Sequence, residues 1–470
     1  MPANFLHGVE TIEVQTGARP ISVVKSAVVG LVGIAPSGPI NTPTVVLNET
    51  DAAQFGAQVP GFNIPQALAA IFAQGAGTVI VVNTFDPDTM TAAVTAESHV
   101  IAAGKTKTTF APIGPITLTN SGGSTTYTVD EDYSVDAYGN IRVLDFTAIA
   151  QGATVKATYD KLDATTIHAA DIIGTQDVSG NRSGFKCFAE AYTRFGFTPK
   201  LFISPGYCEL AAVAAEMISQ AEGFRGFAII DAPVGELPAD VIEARGPSGT
   251  LAGFQTSSKA VILAYPHVKA YDPATDANVN RPLSPYIAGV IAATDNAEGY
   301  HVSPSNHEIK GIVGMERAIT AQINNAQTEA NQLNEVGIVT MFNSFGTGIR
   351  VWGNRSAAFP STTTPDNFIP VQRVKGILHE SVEYAMLQFL DRPINQALID
   401  AIRESVNSFL RVLIGRGAIV DGVCSYDPAK NPPDQIAAGH LTFDISFMPP
   451  TPAERITFES FIDINLLKFV

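Results

Sequence analysis

Five short runs constrain most of what this chain can fold into. Ala27–Ala35 reads AVVGLVGIA, Thr78–Asn83 TVIVVN, Lys200–Ser204 KLFIS, Gly226–Ile230 GFAII and Lys259–Tyr265 KAVILAY. Apolar residues follow one another there without polar alternation, as strands covered on both faces require. Segments with helical periodicity lie between them, at Ile64–Gln74, Glu209–Ala221 and Pro238–Ala244, and after the last, at Pro285–Ala293. Glycine and proline punctuate the runs, as at Pro36, Gly38 and Pro39 or at Pro205-Gly206. Strands alternating with helices at about 30-residue spacing predict an α/β core with a parallel sheet.

Two regions break this rhythm. Over residues 96–163 Thr, Ser, Gly, Asp and Tyr dominate, and short strands are expected at Ile116–Thr119, Thr125–Val129, Ile141–Phe146 and Thr154–Tyr159. A Gly139-Asn140 turn precedes the third. This predicts an inserted all-β domain. From about Val351 the chain changes again. Val374, Leu378, Val382, Ala385 and Phe389 mark one amphipathic helix, and Leu398, Ile402, Val406, Phe409 and Leu413 a second. Asp400, Glu404, Asn407 and Arg411 fall on the opposite side of the second helix. Leu441, Phe443, Ile445 and Phe447 alternate with polar residues as in a half-buried strand. Pro449, Pro450 and Pro452 form a stiff spacer, after which Ile456, Phe458, Ile462 and Ile464 alternate over a further strand.

That last strand needs a sheet to join, because an unpaired apolar edge invites association. Pairing within its own domain and strand addition to another subunit are both open. A strand-like stretch at Val9–Gln15 suggests a similar arm at the N-terminus. The expected organisation is a 1–26 arm, core segments 27–95 and 164–350 around the 96–163 insertion, an α+β domain at 351–448, and a 449–470 strand arm.

Composition narrows the function. Charged residues make up 16% and hydrophobic residues 46% of the 470, against about 25% charged for typical soluble domains. A folded chain so poor in charge suggests surface buried in an assembly. The net charge of −16 disfavours nucleic acid and anionic membranes as partners. No run of 18 apolar residues occurs, so no direct membrane insertion is expected. Met1–Glu10 lacks the features of a signal peptide, so the product is expected to be made and kept in the cytoplasm or to leave by lysis.

Enzyme signatures are incomplete. Gly33–Gly38 has the first spacing of a phosphate loop, but Pro39 stands where lysine is needed. His379 to Glu383 offers HExxE rather than HExxH, so His379 and Glu380 read as the polar side of a helix. Asp130, Glu131, Asp132 and Asp136 read as a solvated acidic loop. Cys187, Cys208 and Cys424 are lone thiols in apolar company, read as buried and structural. No catalytic residue, cofactor or metal is assigned.

Several segments resemble one family, the contractile tail sheath proteins of bacteriophages and related injection machines. Gly8–Val46 (GVETIEVQTGARPISVVKSAVVGLVGIAPSGPINTPTVV) is similar to its opening, and Ser183–Tyr207 (SGFKCFAEAYTRFGFTPKLFISPGY) to its middle section. Gly299–Glu316 follows, with Ser303-Pro-Ser-Asn306 departing from the usual alanines. The most diagnostic piece is Leu333–Ser356, ending Gly348-Ile-Arg350-Val-Trp352-Gly353-Asn-Arg355. Trp352, the only tryptophan, and Arg355 read as structural. Ser405–Gly422 completes the match, which covers nearly everything outside 96–163.

The resemblance implies a structural subunit that polymerises as six-fold helical rings around a tail tube and contracts to drive the tube through the target envelope. It implies arms that add strands to neighbouring subunits, here Val9, Ile12 and Val14 and Ile456, Phe458, Ile462 and Ile464. It implies a C-terminal domain facing the tube, for which Asp400, Glu404, Asn407 and Arg411 are the candidate contact. The implied partners are the chain itself, tail tube protein, and baseplate and tail terminator proteins, with the virion tail as location. Two other readings stay open: an α/β enzyme of unknown reaction, and a binding module with receptor contact through 96–163.

Overall fold

The structure, a computed structural model, describes residues 20–75, 77–245, 249–343 and 346–467. They divide into two compact units: 25–373 with 451–467, and 20–24 with 374–450.

The larger unit is built on an eight-stranded sheet. Its spatial order is Ile349–Trp352, Ile338–Asn343, Val261–Ala264, Phe227–Asp231, Leu201–Ile203, Val28–Gly33, Thr78–Asn83 and Thr44–Val46. The six inner strands run parallel and the two edge strands antiparallel. All five apolar runs of the sequence lie on inner strands. Within the first run, Val29 and Leu31 point to one side, into a core with Leu68 and Ile71 of helix Ile64–Phe72 and Ile287 and Ile291 of helix Ser284–Ala297. Val28 and Val32 point to the other, against Val213 and Met217 of helix Ala211–Gly223. Two buried faces explain why these runs do not alternate. Gly30 in their midst has a steric reason: a Cβ there would lie 2.9 Å from the Pro199 side chain and 3.0 Å from the Phe188 ring.

The insertion carries two small antiparallel sheets. One has the order Thr91–Val100, Thr154–Leu162, Ile113–Asn120, Thr126–Tyr127; the other Lys105–Lys107, Asn140–Val143, Tyr133–Val135. They share a core of Ile101, Leu118, Tyr133, Ile141, Val155 and Tyr159. The first strand starts at Thr91, ahead of the expected 96, because Thr91 pairs with Leu162 at the far end of the ladder.

The boundary expected at 351 is displaced. Val351 sits in the edge strand Ile349–Trp352, opposite Met341, and completes the large sheet. The division between the units falls at 373/374 instead, inside helix Ile369–Met386. The smaller unit adds helix Gln396–Gly415 and a two-stranded sheet of Asp421–Ser425 and Asp444–Met448. Asn395 starts that helix by accepting from Leu398 N at 2.9 Å. Leu398, Val406, Phe409, Leu410 and Leu413 form its buried side.

The strand expected over 456–464 is absent from the chain on its own. Residues 451–463 adopt no regular structure, and a single 3-10 turn follows at Ile464–Leu466. No described residue forms a ladder with this stretch, so its alternating pattern is not satisfied within the described residues.

Candidate assembly interface

The two-stranded sheet is held by a side chain that imitates a strand. The Asn407 carboxamide donates Nδ2–H to the Cys424 carbonyl at 2.9 Å and accepts the Cys424 N–H on Oδ1 at 2.8 Å. Both outward backbone groups of Cys424 are thereby satisfied. The next outward N–H on that edge, at Gly422, bonds to Asp421 Oδ1 at 2.8 Å. Three of the four outward groups on this edge of Asp421–Ser425 are thus taken, leaving the Gly422 carbonyl, so the edge is largely closed.

The register then fixes the other edge. Cys424 lies opposite Ile445 and Gly422 opposite Phe447. Since Cys424 points its N–H and C=O away from the ladder, these are the non-hydrogen-bonded pairs of an antiparallel ribbon. Ile445 and Phe447 therefore also direct their N–H and C=O outward, and no partner for them exists among the described residues. Their side chains face inward: the Phe447 ring meets His379 edge-on at 5.9 Å, and Cys424 opposite Ile445 is buried. Val423 and Met448 lie on the exposed face. The unit thus presents one largely closed and one open strand edge.

The polar stripe of the long helix is only partly what the sequence suggested. Asp400 pairs with Arg403 at 2.9 Å, and Glu404 with Arg411, all on exposed surface. Asn407 is not part of that surface, because its carboxamide is committed to Cys424. Helical spacing placed it correctly on the wheel, but a small sheet packs there. Asn407→Ala should destabilise the subunit by about 1–3 kcal/mol, the cost of leaving the Cys424 groups without partners. Thermal unfolding measures this; an unchanged midpoint would contradict the assigned role. Of His379 and Glu380, read together as the polar side of a helix, Glu380 is buried and His379 half-buried.

The arm residues fall in two groups. Val9, Ile12 and Val14 lie outside the described residues. Ile456, Phe458, Ile462 and Ile464 are all strongly exposed, Phe458 at 89% and Ile462 at 100%. Apolar side chains left this open need an external partner.

At the place where an α/β enzyme would bind its ligand, one side chain bridges two strand ends. Strand order reverses between Val28–Gly33 and Leu201–Ile203, and ligands of open α/β sheets bind beyond the carboxyl ends at such a point. There Asn63 Oδ1 accepts the Ile34 N–H at 2.8 Å, just after the first of these strands, and Asn63 Nδ2–H donates to Pro205 O at 2.7 Å, just after the second. At the end of the neighbouring strand Phe227–Asp231, buried Asp231 accepts Ser284 N–H at 2.7 Å and Ser284 Oγ–H at 2.5 Å, capping a helix start. Burial pushes its carboxyl up, and His267 and Ser284 partly offset this. Burial also raises Glu209 to about 7, with Asp231 adding to the effect. A perturbed acid is present, but the interaction is internal. Burial likewise pushes the Cys187 thiol up to about 12, so it is no nucleophile. In the acidic loop Asp132 accepts Thr128 N–H at 2.8 Å and Asp136 accepts Tyr138 and Asn140 N–H, both at 2.9 Å. Among the described residues no helix is long and apolar enough to cross a membrane.

The described residues thus combine an α/β body, an open strand edge at Asp444–Met448 and an exposed apolar tail. Comparison with known proteins gives the family. A model of the phage tail sheath protein central domain matches residues 173–357, and one of the phage tail sheath C-terminal domain matches residues 363–463. The tail sheath protein of Burkholderia phage BcepMu is 46% identical over 471 residues, covering 99% of this chain and 98% of its own length. That of Escherichia phage P2 is 24% identical over 455 residues, covering 97% and 95%. In fold, the contracted helical sheath of the anti-feeding prophage matches at a TM-score of 0.62 with 17% identity, covering 98% of this chain and 100% of its own. The contracted sheath of the extracellular contractile injection system PVC matches at 0.61 with 16% identity, covering 99% of each. The chain belongs to the phage tail sheath family: it is a structural subunit of a contractile tail sheath and not an enzyme.

Proposed function

We propose that this subunit polymerises as six-fold helical rings around a tail tube, linked by exchanged strands, and contracts to drive the tube through the target cell envelope. The observation carrying this reading is the combination of one open strand edge, at Asp444–Met448, with an apolar alternating tail that joins no sheet among the described residues. Strand addition joins the two: backbone hydrogen bonds hold the incoming arm, and alternate side chains choose its face. Because the Asp421–Ser425 edge is largely closed, a C-terminal arm adds at Asp444–Met448, and an N-terminal arm of another subunit adds to the outer side of that arm.

Such linkage suits contraction. Backbone ladders keep subunits joined while rigid bodies rotate, and the work comes from two packings of different free energy. Nucleotide is not needed. Exposed Asp400, Glu404 and Arg411 are the proposed contact with the tube protein; baseplate and terminator proteins bound the polymer at its ends. The insertion around 96–163 is outer decoration, and assembly takes place in the host cytoplasm.

Mixing the purified chain with its tube protein tests the reading by negative-stain electron microscopy. The expected result is striated tubes with six-fold end views around a tube core. Persistent failure of both the chain alone and the mixture to polymerise would overturn it.

A further inference from the structure

The root of the C-terminal arm is held by a built carboxylate site. Arg355 projects from a short bridge in which Ser356 N–H bonds to Asn367 O and Ile369 N–H to Asn354 O, each at 2.9 Å. Its guanidinium lies 3.7 Å from the Phe368 ring centroid and 4.6 Å from that of Phe359. Nη1–H donates to Asn367 Oδ1 at 2.6 Å, and fully buried Asn367 donates in turn to Thr362 O at 2.6 Å. Two rings and an amide therefore fix the fork before it meets any acid. The acid it meets is Glu454, from beyond the proline spacer: Nε lies 3.0 and 3.1 Å from the two carboxylate oxygens, and Nη2 2.5 Å from the second. From Arg455 onward the chain is exposed and without regular structure as far as residue 463.

We propose that Arg355 is a latch for the C-terminal arm, holding Glu454 on the subunit body so that the exchangeable strand begins at Arg455 rather than at the proline spacer. This rests on the strand-exchange reading above. The physical consequence is reach. Extended, residues 455–467 span about 45 Å, whereas 449–467 would span about 65 Å. A shorter, oriented tether raises the effective concentration of the arm at one neighbouring edge and excludes more distant ones. Arg355 is thus a positioning residue, acting on assembly through Glu454.

Glu454→Ala tests this, since it removes the acid without touching the aromatic seat. Its melting temperature should match the wild type, while the critical concentration for polymerisation rises about threefold to tenfold. The exchange Arg355→Glu with Glu454→Arg should restore part of the loss that either reversal causes alone. If a glutamate between the two rings prevents folding, Arg355→Lys replaces it: the cation stays, the fork is lost, and the critical concentration should again rise. A chain ending at Glu454 separates the two readings. If that chain fails to polymerise but Glu454→Ala polymerises like the wild type, the latch is wrong and the arm reading stands. If the shortened chain itself polymerises normally, both fall. A Glu454→Ala effect confined to the melting temperature, with unchanged assembly per folded subunit, would also overturn the latch.

Discussion

Deleting residues 455–470 is expected to leave a subunit that melts like the full chain yet forms no ordered tube. The folded unit loses little, because Ile456, Phe458, Ile462 and Ile464 touch almost nothing in the isolated chain. Removing such surface residues changes stability by about 0.5 kcal/mol or less, a shift of about 2 °C in a domain this large. The deletion also spares Glu454 and its bonds to Arg355. The polymer loses much more. Burying four large apolar side chains is worth about 1.5–3 kcal/mol each before the cost of ordering the arm, and that cost is about 1–2 kcal/mol per residue for the backbone. Ordering residues 455–467 at that rate costs roughly 13–26 kcal/mol, more than the roughly 6–12 kcal/mol from the four side chains. The backbone hydrogen bonds of the added strand make up the difference and leave only a small net gain per contact, repeated at every subunit. A lattice that depends on such repeated small gains fails when each is removed. Calorimetry and electron microscopy with tube protein present make the comparison. Ordered tubes from the shortened chain would sink the arm reading, and a melting temperature lower by about 10 °C or more, roughly five times the expected shift, would show that the arm is part of the fold.

Much of the larger unit could be read from the chain because its signals are local. The runs at 27–35, 78–83, 200–204, 226–230 and 259–265 are apolar on both parities, and two-faced burial is what a central parallel strand imposes. The amphipathic helices were legible for the same reason: Val406, Phe409 and Leu413 recur at helical spacing and are buried. The failures share a cause, which is that sequence does not display spatial neighbours. Asn407 sat correctly on the polar side of its helix, yet the strand that claims it lies further along the chain at Cys424. Glu380 followed a polar pattern into a buried position. Val351 seemed to open a new domain because composition changes there, but the antiparallel edge of the large sheet needed one more strand. Arg355 was read as structural from a family-like motif. Its acid partner, Glu454, could not be foreseen, because 99 residues separate them. The arm is the instructive case. Its alternation at 456, 458, 462 and 464 states a preference for a sheet without saying whose, and the single chain leaves that preference unmet.

Ile445→Pro is expected to abolish polymerisation while Ile445→Ala preserves it. The reasoning lies in the ribbon of Asp421–Ser425 and Asp444–Met448. Asn407 holds the outward groups of Cys424, so the opposing residue, Ile445, carries its N–H on the open edge. Proline is tolerated at such a site in an edge strand, since the donor it lacks is unused by the ladder. Both variants lose the same partly buried apolar contact, so their melting temperatures should agree within about 5 °C, the equivalent of roughly 1 kcal/mol or a little more. They differ in what an incoming arm would find. Alanine still offers an N–H and room for an adjacent strand; proline removes the donor and fills the approach with its ring. Proline at Val423 serves as the contrasting control. That residue belongs to a hydrogen-bonded pair with Ser446, so its loss should break the ribbon and lower the melting temperature as well as assembly. If Ile445→Pro forms tubes as readily as Ile445→Ala, the acceptor edge lies elsewhere, and an arm entering at Asp421–Ser425 would have to displace Asn407 first. Asn407→Ala would then promote assembly rather than merely weaken the subunit, which separates the two edges by the sign of a single measured change.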